Sequence, residues 1–540
     1  MIFPDNKKLL PTRWPSVAKL HSASRLKIHP MRFTFPLFLL LIVGALTAQT
    51  SVHFDRPFHV AGEVTWFSVY PPSPAPPKLK ATVYAPNGDA VEYFFLAAED
   101  DGRYSGYYRW PFEAVTGYYR IGFEGLATDG SVASIGTVRH AVYADKRVDG
   151  EDGAGVVAGA KLPAANGLSV NITGNKLKIA GTKGDAYSVS VVNEEVVGGS
   201  SEAFFPAARG VNVAAPSAWV DTLFYPATVL KSDGSVLTTN LLPVFDPNRY
   251  EFGFAKAQEG RVMLQTAPFE GKKKLQVRDL QGDDLKPAVN PQKLSPITEK
   301  PAVSKAVATY IDLSRRRRKI YQLFATVETE IDATVTRENQ REVRPNRDFN
   351  VQDYKAFPDM FTFFKEVAGE LKVRLKKGNY SARLYNAPNQ RFFGDNPLYI
   401  IDGRLTRDDN YVMSLPPSEV RYLAFYYVGS ELRRNFPALG NNGVVRIETI
   451  RGAEKFPAAD ADDSFSVRGL QPKATFPLRD AAESDVPAIS PVLLWKTGRG
   501  DASIDLPATD DVGTYRVLVV TRSPDGKQRA TSQVFEVAVK

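Results

Sequence analysis

Apolar and polar residues alternate in short runs along most of this chain, and turn-forming residues break the runs. Thr65-Trp66-Phe67-Ser68-Val69-Tyr70 and Lys80-Ala81-Thr82-Val83-Tyr84 are two of them. Side chains two apart share a face of a strand, so this period predicts β-strands rather than helices. Asn87-Gly88 and Asp129-Gly130 have the composition of tight hairpin turns, which need positive φ at both central residues. The run PPSPAPP at 71–77 lacks the N–H groups that a central strand donates, and it is expected as a loop. Residues 51–145 therefore read as one β-sandwich.

The Gly-, Ala- and Asp-rich stretch 146–165 reads as a linker. Strand-like runs resume at Leu168 to Ile172, Lys176 to Ile179 and Tyr187 to Val192, which places a second β-sandwich region over 166–285. A connector follows over 286–354. It is Pro-rich at first and contains Arg315 to Lys319 (RRRRK), expected as a charged surface segment. Phe361, Phe364 and Val367 have helical spacing. The runs at 371–375 and 380–385 alternate around Lys377-Gly378-Asn379, which predicts a hairpin. The segment 465–540 returns to β and repeats an earlier pattern. Gly117-Tyr118-Tyr119-Arg120-Ile121 and Gly513-Thr514-Tyr515-Arg516-Val517 are each followed, at the same interval, by Asp-Gly. A Gly-x-Tyr at the start of a strand is similar to a tyrosine corner, whose hydroxyl ties the strand to a nearby loop.

Several stretches resemble known families. Phe54-Asp55-Arg56-Pro57-Phe58-His59-Val60-Ala61-Gly62-Glu63, followed by Trp66-Phe67, resembles the opening of a macroglobulin-type domain. Leu494-Trp495 and the residues from Asp501 to Leu506 resemble the start of the terminal domain in macroglobulin-like proteins of Bacteroidetes-type bacteria. Residues 250–285, with the runs Gly260 to Leu264 and Pro268 to Val277, are similar to the end of a carboxypeptidase-regulatory-like module. Pro397 to Gly403 (PLYIIDG), Ser414 to Phe425 (SLPPSEVRYLAF) and Gly440 to Gly452 (GNNGVVRIETIRG) resemble, in that order, the plug domain of TonB-dependent receptors. The resemblances imply an exported multidomain protein that is mainly β. It would hold several Ig/macroglobulin-like β-sandwiches, one small α/β plug-like domain at 355–452 and a C-terminal macroglobulin-like sandwich at 465–540. A plug sits inside a barrel of about 22 strands. That barrel needs roughly 200 residues or more, which exceeds the stretch from Gly452 to Lys540. No conventional TonB box is evident after Ala48. The plug-like stretch thus implies an envelope address more than an uptake activity.

Composition adjusts this picture in three ways. The segment from Phe33 to Ala48 is strongly apolar, is preceded by Met31-Arg32 and ends in small residues. It is expected to be a signal peptide at 31–48, cleaved after Ala48, with 1–30 a mis-called start. Much of the net charge of +8 resides there: Lys7, Lys8, Arg13, Lys19, Arg25, Lys27 and Arg32 stand against Asp5 alone. The remainder is close to neutral and exerts little long-range pull on nucleic acid. The chain has no cysteine. This excludes disulfides, thiolate metal sites, a cysteine nucleophile, a lipoprotein anchor and the thioester of macroglobulins that trap proteases.

Candidate chemistry is sparse. After the signal segment the histidines are His53, His59 and His140. His53 and His59 are expected on one face of an entering strand, too few ligands for a metal. No Gly-x-Ser-x-Gly accompanies them. Asp100-Asp101, Asp408-Asp409, Asp510-Asp511 and the group Asp460, Asp462 and Asp463 lack calcium-loop spacing and are expected to solvate loops. Arg499-Gly500-Asp501 spells an integrin-type tripeptide within an expected turn. No catalytic, cofactor-binding or metal residue is assigned, and no cofactor is expected. The expected function is that of a non-enzymatic cell-envelope protein, in the periplasm or at the outer membrane. It would act through protein–protein contacts with an envelope partner such as an outer-membrane barrel, without nucleic acid. The alternative is a glycan- or peptide-binding module of a nutrient-uptake system, with Trp66, Trp110 and Trp495 stacking on sugars; core packing is the expected role of each ring.

Overall fold

Alternation decides the first sandwich. Strands Ser51–Phe54, Val64–Tyr70 and Tyr104–Arg109 form one sheet, and Phe58–Val60, Val132–Tyr143, Gly117–Leu126, Lys78–Tyr84 and Ala90–Ala97 form the other. Phe54, Phe67 and Val69 from the first face Ala81, Val83, Ile121, Phe123 and Val138 from the second in one core. Such interdigitation of two inner faces is what defines a β-sandwich. The computed structural model describes residues 50–150, 162–197, 204, 216, 218–238, 241–278, 285–289, 292–334, 343–437, 439–452, 464–483, 485–523 and 525–538. The start-site and signal-peptide expectations lie outside the described residues, as do Asp460, Asp462 and Asp463 and the middle of the 146–165 stretch.

Both tyrosine corners are present. The Tyr119 hydroxyl accepts from the Val115 N–H at 3.1 Å, and the Tyr515 hydroxyl donates to the Asp511 carbonyl at 3.1 Å. Each tyrosine thus closes on the residue four positions before it.

Sheet membership crosses the units expected along the sequence. Strand Ala186–Asn193 lies between Val492–Arg499 and Gly513–Arg522, with Gln528–Val537 at the sheet edge. The facing sheet pairs Lys176–Ala180 with both Ser169–Thr173 and Ala502–Asp505. One sandwich core, with Leu177, Val189, Leu494, Ile504 and Val519, is therefore shared by two distant pieces of chain. The strands between Leu223–Lys231 and Leu285–Val289 instead form a seven-stranded sheet with Ser464–Arg468 at its end. Periodicity identifies a strand and its buried face, but it carries no information about a partner hundreds of residues away.

Residues 347–449 build a small α/β unit. Its sheet has the order Arg347–Asn350, Val420–Tyr426, Val444–Thr449, Leu398–Ile401, Arg404–Thr406. Tyr399 and Ile401 enter one core, and Leu398 and Ile400 enter the core on the opposite face. Asp402 and Gly403 have φ of 46° and 83°, the geometry that a two-residue hairpin turn demands. The Asp402 carboxylate also accepts from Thr449 N and Oγ1 at 2.8 and 2.6 Å, locking the turn to the parallel neighbour. The fold is thus mainly β, with several sandwich-type sheets and one small α/β unit. Among the described residues no helix is long and apolar enough to cross a membrane.

The RRRRK segment is corrected by the structure. It belongs to a helix, Lys305–Leu323, whose N-cap Ser304 accepts from Val307 N at 3.2 Å. Val307, Tyr310, Ile311, Ser314, Arg317 and Tyr321 recur at helical spacing and are buried. The helix packs against Phe58 and Tyr143 of the first sandwich and Leu518 and Val520 of the shared one. Arg317, expected at the surface, is 5% exposed.

Candidate functional site

The buried side of that helix meets the Asp55–Glu63 motif. Arg56 donates to the Tyr310 hydroxyl, which donates to Glu63 Oε1 at 2.9 Å. Ser314 donates to the same oxygen at 2.9 Å, and Val60 N donates to Glu63 Oε2 at 2.8 Å. Arg317 lies 4.0 Å from Glu63 and donates to Glu328 at 3.1 Å. Burial alone raises Glu63, but Arg56, Arg317 and the Val60 N–H outweigh it and hold the carboxyl down to about 2. The buried Arg56 and Arg317 thus meet the carboxyls of Asp55, Glu63 and the largely buried Glu328 where two sandwiches and a helix join. Burying ions costs desolvation that pairing only offsets, so such a cluster fixes geometry more than it adds stability.

The histidines extend this cluster rather than forming a metal site. His53 and His59 lie on different strands in different sheets, because Asp55-Arg56-Pro57 carries the chain from one sheet to the other. The expectation of one shared face is overturned. His53 Nδ1 and Nε2 lie 2.7 and 3.2 Å from the Ser188 and Ser190 hydroxyls. His59 Nδ1 lies 2.7 Å from His140 Nε2, and His59 Nε2 lies 3.3 Å from Asp55. With both rings neutral, His140 Nε2–H donates to His59 Nδ1, and the remaining hydrogen of His59 faces Asp55. Burial pushes His53 down to about 3 and lowers His59 and His140 well below the imidazole range.

A cleft of about 790 Å3 opens beside this junction. Two of its walls are edge strands of different sheets, Tyr104–Arg109 and Val492–Arg499. On the first, the even-numbered residues face the sheet, as the paired bonds of Trp110 with Gly62 and Glu63 require. Ser105, Tyr107 and Arg109 therefore direct their backbone groups outward. Tyr107 is satisfied by one side chain: its N–H donates to Gln471 Oε1 at 3.0 Å, and its carbonyl accepts from Gln471 Nε2 at 2.6 Å. The Gln471 amide thus stands where the peptide group of an added strand would stand. Its own backbone N–H is spent on Phe95 O at 2.7 Å, in the opposite sheet of the sandwich. Among the described residues, no ladder partner faces Ser105 or Arg109.

The other candidates are absorbed by structure. The three residues of Arg499-Gly500-Asp501 are engaged in a turn. Arg499 donates to Gly184 O, Gly500 N donates to Asp185 O, and Asp501 accepts from Thr182 N and Oγ1 at 2.9 and 2.6 Å. Asp101 accepts from Arg103 N, Asp408 caps a helix, and Asp409 accepts from Ala382 N and the Tyr399 hydroxyl. Trp110 is fully buried, and Trp66 and Trp495 are only 4% and 6% exposed. Sequence reasoning missed Gln471, whose role follows from what it faces rather than from any motif around it.

No protein-family model matches the chain, and no curated protein does. Among solved structures, Escherichia coli α2-macroglobulin activated by porcine elastase is similar at 11% identity over 91% of this chain and 44% of that one, with a TM-score of 0.23. The native conformation of the same macroglobulin matches at 11% identity over 92% and 40%, with a TM-score of 0.22. A tetra-tandem repeat from the extending region of a large adhesion protein matches at 11% identity over 88% and 96%, with a TM-score of 0.13. This chain spans less than half the length of the macroglobulins. Likenesses at these scores carry no weight for function.

Proposed function

We propose that this chain is a non-enzymatic interaction module of the cell envelope that takes up an extended segment of a partner protein along the Tyr104–Arg109 edge. One observation carries the reading: the Gln471 amide pairs in both directions with the Tyr107 backbone as a peptide group would, and a partner strand that reaches both Ser105 and Arg109 takes its place. Strand addition draws affinity from main-chain bonds and specificity from alternate side-chain pockets. Ser105 and Arg109 offer four more backbone groups, each worth roughly 0.5–1.5 kcal/mol net when paired. The cleft beside them provides room, and its volume lies in the range of binding pockets. The apolar segment from Phe33 to Ala48 supports export, and the plug-like order of the 397–452 motifs supports an outer-membrane barrel or its transport system as the partner.

The glycan reading draws less support, because Trp66, Trp110 and Trp495 have their faces packed in cores.

Capture from detergent-solubilised envelopes tests the proposal. Ser105→Pro removes an N–H that faces away from its own sheet, so the sandwich keeps its ladder while the edge is blocked. The wild-type chain is expected to retain an outer-membrane protein that the variant loses. Recovery of no outer-membrane protein, or equal recovery by both chains, contradicts the reading.

A further inference from the structure

The hairpin Leu371–Lys376 and Asn379–Asn386, with the short strand Arg391–Phe392, forms a three-stranded sheet on the α/β unit. Its two faces differ sharply. Leu371, Ala382 and Leu384 are buried in the core, with Val373 and Tyr380 packed against them. The register places Lys372 opposite Arg383, Arg374 opposite Ser381, Lys376 opposite Asn379 and Tyr385 opposite Phe392. The other face therefore carries Lys372, Arg374, Lys376 and Arg383, all exposed, beside the Tyr385 and Phe392 rings.

This arrangement is unfavourable in isolation, since like charges directly opposite on a sheet repel. Elsewhere the chain neutralises such cations on its sheets: Lys80 pairs with Glu124 across two strands, and Arg421 and Arg446 both pair with Glu448. Among the described residues, Lys372, Arg374, Lys376 and Arg383 have no ion-pair partner, and no hydrogen bond fixes their heads. The one specific contact is Lys372 Nζ, 5.1 Å from the centre of the Phe392 ring.

We propose that this face docks on an anionic lipid surface. Three features select a lipid surface over an acidic protein. The cations are long and exposed, and apart from Lys372 over the Phe392 ring no contact fixes their heads, which suits a fluid layer of headgroups better than carboxylates held at fixed positions. An exposed apolar ring lies among them: Phe392, beside Tyr385 on the same face, is 36% exposed. Basic residues around exposed apolar side chains match the boundary between headgroups and acyl chains. The sheet is also an outer layer whose rear face is already packed, so docking requires no rearrangement. This inference is independent of the Tyr104–Arg109 edge.

Co-sedimentation with vesicles tests it. The full chain is mixed with vesicles of phosphatidylcholine alone, or of equal parts phosphatidylcholine and phosphatidylglycerol. All variants share the basic, apolar first 48 residues, so the difference between variants is the readout. The double variant Arg374→Glu/Lys376→Glu is expected to lose at least about tenfold of its partitioning to the anionic vesicles, and added salt is expected to remove the difference. Lys178→Glu, at an exposed cation on another sheet, is expected to bind as the wild type does. Lys372→Gln/Arg383→Gln provides a second variant with a milder change of charge and an intermediate loss. Unchanged binding by both double variants overturns the proposal. Capture of soluble polyglutamate through the same four residues, without a vesicle difference, would assign the face to an acidic protein and likewise overturn it.

Discussion

The Tyr310 hydroxyl donates a 2.9 Å hydrogen bond to Glu63 across 247 positions of sequence. With Ser314 and Arg317, it ties the turn of the first sandwich to the Lys305–Leu323 helix, which in turn rests on the shared sandwich. Tyr310→Phe removes a donor from Glu63 and an acceptor from Arg56, and it is expected to cost about 1–3 kcal/mol. Glu63→Ala removes the carboxyl that Arg56 and Arg317 share, leaving Arg56 with Asp55 and Arg317 with Glu328, and is expected to cost more than Tyr310→Phe, about 3 kcal/mol or more. Urea midpoints of the three chains check this order.

Buried histidines give the protein an acid-sensitive fold. An imidazole whose folded value is depressed binds its proton only on unfolding. Stability is therefore full above about pH 6.5 and falls as the pH drops below it. His53, His59 and His140 all act in this sense. Asp55 acts in the opposite sense: burial raises it to about 7, against the pull of Arg56 and the Trp66 N–H. Its contribution is lost as the pH rises from about 4 towards about 7. Three imidazoles against one carboxyl leave a net uptake of about two protons on unfolding, or roughly 3 kcal/mol lost per pH unit below about pH 6. His53→Asn is expected to halve that slope, as read from urea midpoints across the range.

The two tyrosine corners lie in different sandwiches and share no partner. Tyr119→Phe and Tyr515→Phe are each expected to cost about 1 kcal/mol, and the double variant about the sum. A marked departure from additivity would mean that the two sandwiches couple through the helix between them.

Asp501 is engaged with Thr182 in the described turn, and this interaction lowers its carboxyl below the usual range. Asp501→Ala is expected to lower the melting temperature while leaving cell adhesion on integrin-bearing surfaces unchanged. Loss of adhesion without loss of stability would restore the tripeptide as a ligand.

Local chemistry was legible in the sequence. Alternation marked the strands, Asn87-Gly88 and Asp129-Gly130 marked hairpins, and Gly-x-Tyr marked both corners. What escaped depends on long-range contact. The Lys305–Leu323 helix hid its buried face because two of its inward positions, Ser314 and Arg317, are polar and are satisfied only by Glu63 and Glu328. The shared sandwich was invisible because Val189 pairs with Lys496 and Val519, far along the chain. The cleft is assembled from stretches far apart in sequence, around Trp66, 96–107, Glu270, 470–476 and 495–499, and Gln471 becomes informative only once Tyr107 lies opposite it.

Hydrogen exchange of the wild-type chain, alone and bound to its captured envelope partner, tests the strand-addition proposal most directly. In the free chain, the Tyr107 amide is expected to be protected by Gln471 while the Ser105 and Arg109 amides exchange quickly. On binding, both fast amides are expected to slow by at least about tenfold, the effect of roughly 1.4 kcal/mol of added protection. A bound partner that leaves Ser105 and Arg109 exchanging as before would contradict strand addition at this edge.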